Sequence, residues 1–337
     1  MFEVFPSQWT PLLFRRELKK KPVAARVAGE DVVLFRDNSG KPHALLDRCP
    51  HRGVALSLGK IDDEGRLECP FHGWAFEGDG RCTNVPFNHV KDEFCDRAAA
   101  DALPCVEKGG FIWVFTEVGA TPEAPYVPPE LESDRLARYD LSSVWATHWT
   151  RAMENMLDAP HLPYVHRTTI GMGLRKPALS GEAMITSAEE SEHGFTVHWR
   201  LEHETPTTTG KLHWLKPNGM VLPLAPEPRT YQQNLYVVPV DEHTTRMMIS
   251  SLRSFGRYNP LMKPIDWFNH WILFQDKAVV ESSNPSEVPA PADEVSVATD
   301  APTLAFRKWY RAWRRSLDAD GEVVALRRPA QDDAATG

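Results

Sequence analysis

Between residues 24 and 115 the apolar positions come in short runs rich in β-branched and aromatic side chains, such as Val32-Val33-Leu34-Phe35 and Phe111-Ile112-Trp113-Val114-Phe115, cut by Gly, Asp and Asn. Runs of that length between turn formers predict short strands and a small all-β unit. Residues 119–130 read Gly-Ala-Thr-Pro-Glu-Ala-Pro-Tyr-Val-Pro-Pro-Glu, where proline removes backbone donors and disfavours both helix and central strand. Beyond this stretch a helix is predicted over 151–157. Strand-like runs follow at 195–202, 220–224, 231–240 and 245–252, and then an amphipathic helix over about 264–282. The chain therefore reads as α+β: an all-β domain over 1–118, a proline-rich linker over 119–130, and a domain over 131–337 whose helices pack on one antiparallel sheet. The last ten residues, 328–337, are expected to fray.

Composition narrows the function. The chain has 337 residues, 42% of them hydrophobic, enough for two cores. A formal charge of −8 lacks the basic footprint of a nucleic-acid partner. There is no basic, then apolar, N-terminal leader and no run of eighteen apolar residues, so the expectation is a cytoplasmic protein with no membrane span. All five cysteines (Cys49, Cys69, Cys82, Cys95, Cys105) fall in the first third of the chain. An odd number so placed suits metal ligation better than a disulfide framework.

Two of them carry the strongest local signal. Cys49-Pro50-His51 is followed, after seventeen residues, by Cys69-Pro70-Phe71-His72, so each of two short loops offers one thiolate and one imidazole. A Rieske [2Fe–2S] cluster needs two Cys on one iron and two His on the other, which two such loops can supply from opposite sides. The rival is a structural Cys₂His₂ zinc site, but zinc sites of that type pair Cys with Cys and His with His. Cys82, Cys95 and Cys105 have no such spacing and read as small buried residues.

A second cluster lies in Glu154-Asn155-Met156-Leu157-Asp158-Ala159-Pro160-His161-Leu162-Pro163-Tyr164-Val165-His166. On a regular helix Asp158 and His161, three apart, would share a face. His161 and His166 would not, so both can bind one ion only if the helix breaks between them, a break expected from Pro160 and Pro163. Two imidazoles with a carboxylate make the facial triad of a non-haem Fe(II) oxygenase, with open positions for O₂. In the 264–282 helix, Ile265, Phe268, Ile272 and Val279 form an apolar stripe, while Asp266, His270, Lys277 and Glu281 lie opposite. Asp276 falls at the edge of the stripe, where an ionised carboxylate needs a metal or a partner such as a buried Arg. It is the candidate third ligand, and Glu281 is not. Gln232, Asn234 and Tyr236 alternate onto one strand face, either lining a pocket or facing solvent. The basic, aromatic stretch 306–315 reads as a closing helix, with docking of an acidic redox protein as the alternative.

The order Cys-x-His, Cys-x₂-His, Glu-Asn-x₂-Asp-x₂-His-x₄-His and Gln-Asp-Lys-Ala-Val-Val-Glu resembles the α subunits of Rieske non-haem iron oxygenases over nearly the whole chain, most of all the vanillate and dicamba O-demethylase type. The resemblance implies a Rieske domain followed by a helix-grip (START-like) catalytic domain and a head-to-tail homotrimer. It implies Cys49, His51, Cys69 and His72 on the cluster, and His161, His166 and Asp276 on a mononuclear Fe(II). It also implies catalytic roles for Asn155 and Asp158, the latter bridging one subunit's cluster to its neighbour's iron. O₂ would be co-substrate, with electrons from NAD(P)H through a separate flavin/iron–sulfur reductase, with or without a ferredoxin. The implied reaction is hydroxylation or oxidative demethylation of a small aromatic or alicyclic substrate, with monooxygenation favoured over cis-dihydroxylation. The alternatives from other classes are a Rieske electron carrier with a ligand-binding second domain and a zinc-bound structural protein.

Overall fold

The computed structural model describes residues 1–89, 91–205, 210–225, 228–256 and 263–327. The 328–337 tail, expected to fray, lies outside the described residues. The first third is built of three small antiparallel sheets. Trp9–Phe14 pairs with Phe111–Phe115, which pairs with Cys105–Lys108. Val23–Val27, Glu30–Arg36, Pro42–Leu46 and Ala102–Leu103 form the second sheet. The third comprises the two- and three-residue strands Lys60–Ile61, Leu67–Glu68, Ala75–Phe76 and Cys82–Asn84. Its hairpins hold out the loop that bears Cys69. The short helix α1 (Asp92–Arg97) follows. The proline-rich stretch has no strand and only a 3₁₀ turn at Pro129–Glu132. It is tied to the first sheet by Lys108 Nζ donating to the Pro125 carbonyl at 3.0 Å.

The remainder is one seven-stranded antiparallel sheet in the order Ala137–Trp145, Thr245–Arg253, Tyr231–Pro239, Gly219–Pro223, Gly210–Leu215, Gly194–Leu201, Met184–Ser191. The expected strands are all present, and the fold is α+β. Among the described residues five helices accompany it: α2 (Trp149–Leu157), α3 (Leu162–Val165), α4 (Met172–Leu179), α5 (Lys263–Val280) and α6 (Ala301–Arg327).

Strand parity decides which side chains meet the helices, because alternate residues point to opposite faces. Tyr231 and Gln233 reach Asn269 of α5, at 3.2 and 3.1 Å. Gln232, Asn234 and Tyr236 therefore face away from α5, so the pocket reading holds only in that Gln232 lines a cavity with Tyr126 and His193. Gln232, Asn234 and Tyr236 are not solvated either: all three are buried. Tyr236 packs edge-on against Phe111 and Trp113 of the first third. That face of the sheet is where the two halves of the chain pack together, and one hydrophobic core runs through both, from Phe14 and Trp113 to Trp149, Trp214 and Phe306.

α6 is a closing helix whose aromatic side is core: Phe306 and Tyr310 are buried, and Trp214 packs against Phe306 and Trp309. Three of its cations, Arg307, Arg311 and Arg314, are committed within the chain. Arg307 grips Glu154 of α2, which Arg151 also approaches at 3.0 Å, and Arg307 meets Glu294 at 2.7 Å. Arg311 and Arg314 donate to the carbonyls of Pro289 and Glu3. A charged group left unpaired at such depth is costly, so the Glu154–Arg307 pair fixes α6 to the helix that leads into the second candidate site.

α2 starts at His148, whose Nδ1 accepts from the Thr150 backbone N–H at 3.4 Å and meets the Thr150 hydroxyl at 2.8 Å. Burial pushes its pKa down from the usual 6.5 to about 4; Arg314 and His243 act in the same direction and Glu287 against it. A His with a lowered folded-state pKa takes up its proton in the unfolded chain first. Its contribution to stability is therefore complete above about pH 6.5 and is lost as the pH falls toward 4. The expected loss over that window is about 3 kcal/mol. In His148→Asn, which keeps a capping acceptor, unfolding free energies measured by denaturant titration from pH 7 to 4 should fall less steeply by about that amount. Parallel curves would reject this role.

Candidate metal centres

The two Cys/His loops fold alike. In the first, the Cys49 N–H donates to the Val54 carbonyl at 2.8 Å and Gly53 N–H returns to the Cys49 carbonyl at 2.8 Å. In the second, Cys69 N–H donates to the Trp74 carbonyl at 2.8 Å and Gly73 N–H to the Cys69 carbonyl at 3.0 Å. Each loop closes on a glycine at positive φ, +72° at Gly53 and +70° at Gly73, where a side chain would be strained. The prolines after Cys49 and Cys69 stiffen the entry to each turn.

Both thiols are buried, while His51 is partly exposed and His72 exposed. The imidazoles lie side by side, ring centroids 4.8 Å apart. His51 is stacked on Trp74 at 4.4 Å with the rings 4° from parallel, which fixes its orientation, and its Nδ1 is buried with no hydrogen-bond partner. The Cys49 thiol is pushed up to about 11, mainly by burial, and the neighbouring Cys69 thiol adds to it, while backbone N–H groups of His51 and Arg52 pull the other way. Thiols so placed ionise when a cation supplies the charge that burial denies them. Cys82 and Cys95 are buried as expected of packing residues, and Cys105 is half-buried.

The second cluster is assembled from α2, α3 and α5. α2 stops at Leu157, and Asp158 leaves it with φ −92° and ψ 124°. Pro160 comes just after this end. His161 and His166 then flank the single turn α3, as its N-cap and C-cap. The expected break between the two histidines is therefore displaced: the chain breaks before His161, and Pro163 sits in the first turn of α3, where its missing N–H costs nothing. The two rings meet because each histidine stands half outside the helix.

Their ring nitrogens converge on Asp276. His166 Nε2 lies 3.0 Å and His161 Nε2 3.6 Å from Asp276 Oδ1, and one ligand atom from each of the three lies within 4.8 Å of the others. Oδ1 is buried, yet no hydrogen bond reaches it, so the three groups present lone pairs to a shared space. Their other edges are tied off. His161 Nδ1 meets Asp158 Oδ2 at 3.1 Å, and the same oxygen accepts the His161 backbone N–H at 2.9 Å. His166 Nδ1 meets Gln275 Oε1 at 2.9 Å, and the Thr169 hydroxyl also points to that oxygen at 3.1 Å. An acceptor on Nδ1 holds the proton there and leaves Nε2 free to bind a cation. Burial pulls the His166 pKa down, but Asp276 and Gln275 raise it on balance.

α5 presents a different face from the one its periodicity suggested. Asn269, Leu273, Asp276 and Val280 are buried, whereas Phe268 and Val279 are exposed, as are Trp267, Trp271 and Phe274. The side chains of Ile265 and Asp266 lie outside the described residues. Asp276 therefore stands in the middle of the covered face, not at its edge, because that face meets polar groups, His161 and His166 at one end and Tyr231, Gln233 and Ser251 at the other. Glu281 accepts from the Ala146 N–H at 2.6 Å and takes no part. Asn155 does not join the histidines. It lines, with Asp158, Arg151, Glu154 and Arg307, a cavity of about 280 Å³, and its Nδ2 is buried without a partner.

Residues 8–102 match the Rieske [2Fe-2S] domain, and residues 145–220 and 205–316 match the vanillate O-demethylase oxygenase C-terminal domain. The chain belongs to the Rieske oxygenases with a vanillate O-demethylase-type C-terminal domain. The chain is 28% identical to chlorophyllide a oxygenase of Chlamydomonas reinhardtii over 97% of its own length and 50% of the relative. It is 27% identical to methylxanthine N1-demethylase NdmA of Pseudomonas putida, covering 90% of this chain and 87% of that one. Its fold superposes on dicamba monooxygenase bound to dicamba with a TM-score of 0.77 at 20% identity, over 93% of this chain and 98% of that one. The chain spans about half the length of the chlorophyllide a oxygenases it matches, 50% and 57% of them.

Membership implies a Rieske cluster and a non-haem iron. The residues present fit both: paired buried thiols beside an imidazole with an orphaned Nδ1 suit the first, and two imidazoles with Nε2 freed and a carboxylate oxygen without a donor suit the second. Among the described residues no helix is long and apolar enough to cross a membrane.

The loop geometry predicts an order of tolerance. At Gly73 an added Cβ would stand 3.1 Å from Pro86 Cγ, whereas at Gly53 it would meet nothing within 4 Å. Gly53→Ala should cost about 1 kcal/mol for the left-handed backbone alone, and Gly73→Ala roughly 1 kcal/mol more for the added contact. Thermal unfolding of the two variants checks this, and equal melting temperatures would count against it.

Proposed function

We propose that this chain is the terminal oxygenase of a multicomponent Rieske system, which hydroxylates or oxidatively demethylates a small ring-shaped organic substrate. The observation that carries the reading is the convergence of His161, His166 and Asp276 with both histidine Nδ1 atoms backed by oxygen acceptors, in a chain that also holds the two Cys/His loops. An electron carrier with a passive second domain has no use for the former.

In this reading residues 1–118 hold the cluster on Cys49, His51, Cys69 and His72, residues 119–130 link, and residues 131–337 hold the iron on His161, His166 and Asp276. When bound, the two groups supply electrons one at a time and the chemistry of O₂. The protein's share is positioning. His161 is less buried than His166 and Asp276, which leaves an open side where a substrate C–H bond can be held. A methyl on oxygen or nitrogen, once hydroxylated, departs as formaldehyde and leaves a proton on the heteroatom. Monooxygenation or demethylation is favoured over dihydroxylation because the named demethylases, NdmA and 5,5'-dehydrodivanillate O-demethylase, match over 90% and 72% of this chain, whereas the named dioxygenases match over 47% and 56%. Electrons come from NAD(P)H through a separate reductase, with or without a ferredoxin, and the setting is cytoplasmic.

We further propose a head-to-tail homotrimer in which Asp158 joins His161 to His72 of the partner subunit. Exposed His72 and Phe71 suit such a contact, and Asp158 keeps a quarter of its side chain exposed while one oxygen holds His161.

Cys69→Ser should abolish the visible Rieske absorption, since a hard hydroxyl replaces a soft thiolate. His161→Ala and Asp276→Ala should lower iron content by one third, from three per chain to two, and leave that absorption intact. Iron analysis and absorption spectra of the purified variants check both, and full iron occupancy in Asp276→Ala would remove it from the ligand set.

Asp158→Asn should keep all three irons and lose nearly all turnover, because an amide carries no charge and changes the hydrogen-bond pattern. Electron passage between subunits has a direct test. Cys69→Ser and His161→Ala chains, each inactive alone, should recover part of the activity when co-assembled. Inactivity of verified mixed trimers would mean that electrons travel within a chain.

A further inference from the structure

A histidine can bind a cation through Nε2 only when its proton resides on Nδ1, and which nitrogen carries the proton is set by what Nδ1 faces. For His161 that group is the Asp158 carboxylate, which can only accept. For His166, the more deeply buried of the two at 1% side-chain exposure, it is the Gln275 side chain, and an amide has both an accepting and a donating edge. The oxygen edge faces Nδ1 at 2.9 Å, and the Thr169 hydroxyl meets the same oxygen at 3.1 Å. Were the nitrogen edge turned to Nδ1, the imidazole proton would lie on Nε2, 3.0 Å from Asp276, and close the site to a cation.

We infer that Gln275 is a positioning residue of the mononuclear site: its amide oxygen keeps the His166 proton on Nδ1, so that Nε2 is free to bind the metal. The inference rests on reading His161, His166 and Asp276 as a metal centre. One helix then supplies both a ligand, Asp276, and the acceptor that prepares another ligand, from adjacent positions.

The test uses the full chain with its Rieske cluster loaded and the mononuclear site emptied by a chelator, titrated with Co(II) and with Fe(II), metal binding being followed by d–d absorption and by calorimetry. Gln275→Leu, close in volume but without an acceptor, should bind either ion 10–100-fold more weakly than the native protein. Gln275→Glu, an obligate acceptor of the same length, should restore affinity to the native level or above. Unchanged affinity in Gln275→Leu overturns the inference, and so does a Gln275→Glu variant as weak as Gln275→Leu, which would make the role one of packing. An unaltered Rieske spectrum certifies that each variant is folded. Nitrogen-15 NMR of the metal-free native protein, with His166 assigned by substitution, reads the tautomer with no change at Gln275: a proton on Nδ1 is expected, and a proton on Nε2 overturns the inference. If the native protein and His161→Ala bind neither ion differently, the metal-centre reading itself fails, a result separate from any difference among the Gln275 variants.

Discussion

A neutral imidazole has one lone pair to give, and much of this half of the chain is arranged so that two of them point the same way. His161 and His166 are five residues apart, a spacing that a continuous helix would splay. α2 therefore ends before His161, and a single turn carries the chain from one histidine to the other. Asp158, released from the helix by the same break, is free to fold back onto His161 through both ring and backbone. The irregular backbone and the protonation state of the ring are thus two consequences of one local event.

The third candidate ligand, Asp276, has to arrive from far along the chain, and that places demands on packing. α5 delivers Asp276 on a buried face that also carries Asn269, and the strands opposite answer with Tyr231, Gln233 and Ser251. A polar face buried on a sheet is tolerable only when its groups satisfy one another. Hydrophobic burial is transferred elsewhere, to the tryptophan-rich contact of α2, α6 and the sheet, and to the seam between the two halves of the chain. The Glu154–Arg307 pair locks that apolar layer to α2 one turn ahead of Asp158, so rigidity is supplied next to the site by groups that do not touch it.

The candidate ligand residues could be picked out because their chemistry is confined to a few residue types at tight spacings: Cys-x-His and Cys-x₂-His have few other uses, and an acid ahead of two histidines has few others. Element types were legible for the same reason, as periods of two and of 3.6 are visible locally. Orientation was not. Alternation along 231–239 divides the strand into two faces but does not say which one meets a helix, and Gln232, Asn234 and Tyr236 turned out to face the other half of the chain. Asp276 was found although the stripe drawn through Ile265, Phe268, Ile272 and Val279 was not the covered one, since aromatics such as Trp267 and Trp271 lie outside. Gln275 gave no signal of its own. Only the general requirement that a ligating histidine have an acceptor on its second nitrogen could have prompted a search for it.

The two candidate centres handle exposure in opposite ways, and this bears on how they can communicate. At the Cys/His loops the thiols are inside and the imidazoles outside, with His72 exposed. At the second site His166 and Asp276 are deep, and only His161 and its partner Asp158 retain some access to the surface. The half-exposed edge of each centre is therefore an imidazole or the carboxylate that holds one. An imidazole N–H meeting a carboxylate oxygen forms a short, charge-assisted hydrogen bond. Such a contact needs each group to emerge from its own fold with one bonding edge still open. Were Asp158 drawn into the ion network of Arg151 and Arg307, as Glu294 is, its bonding edges would be taken up there and the second centre would be left without an outward edge.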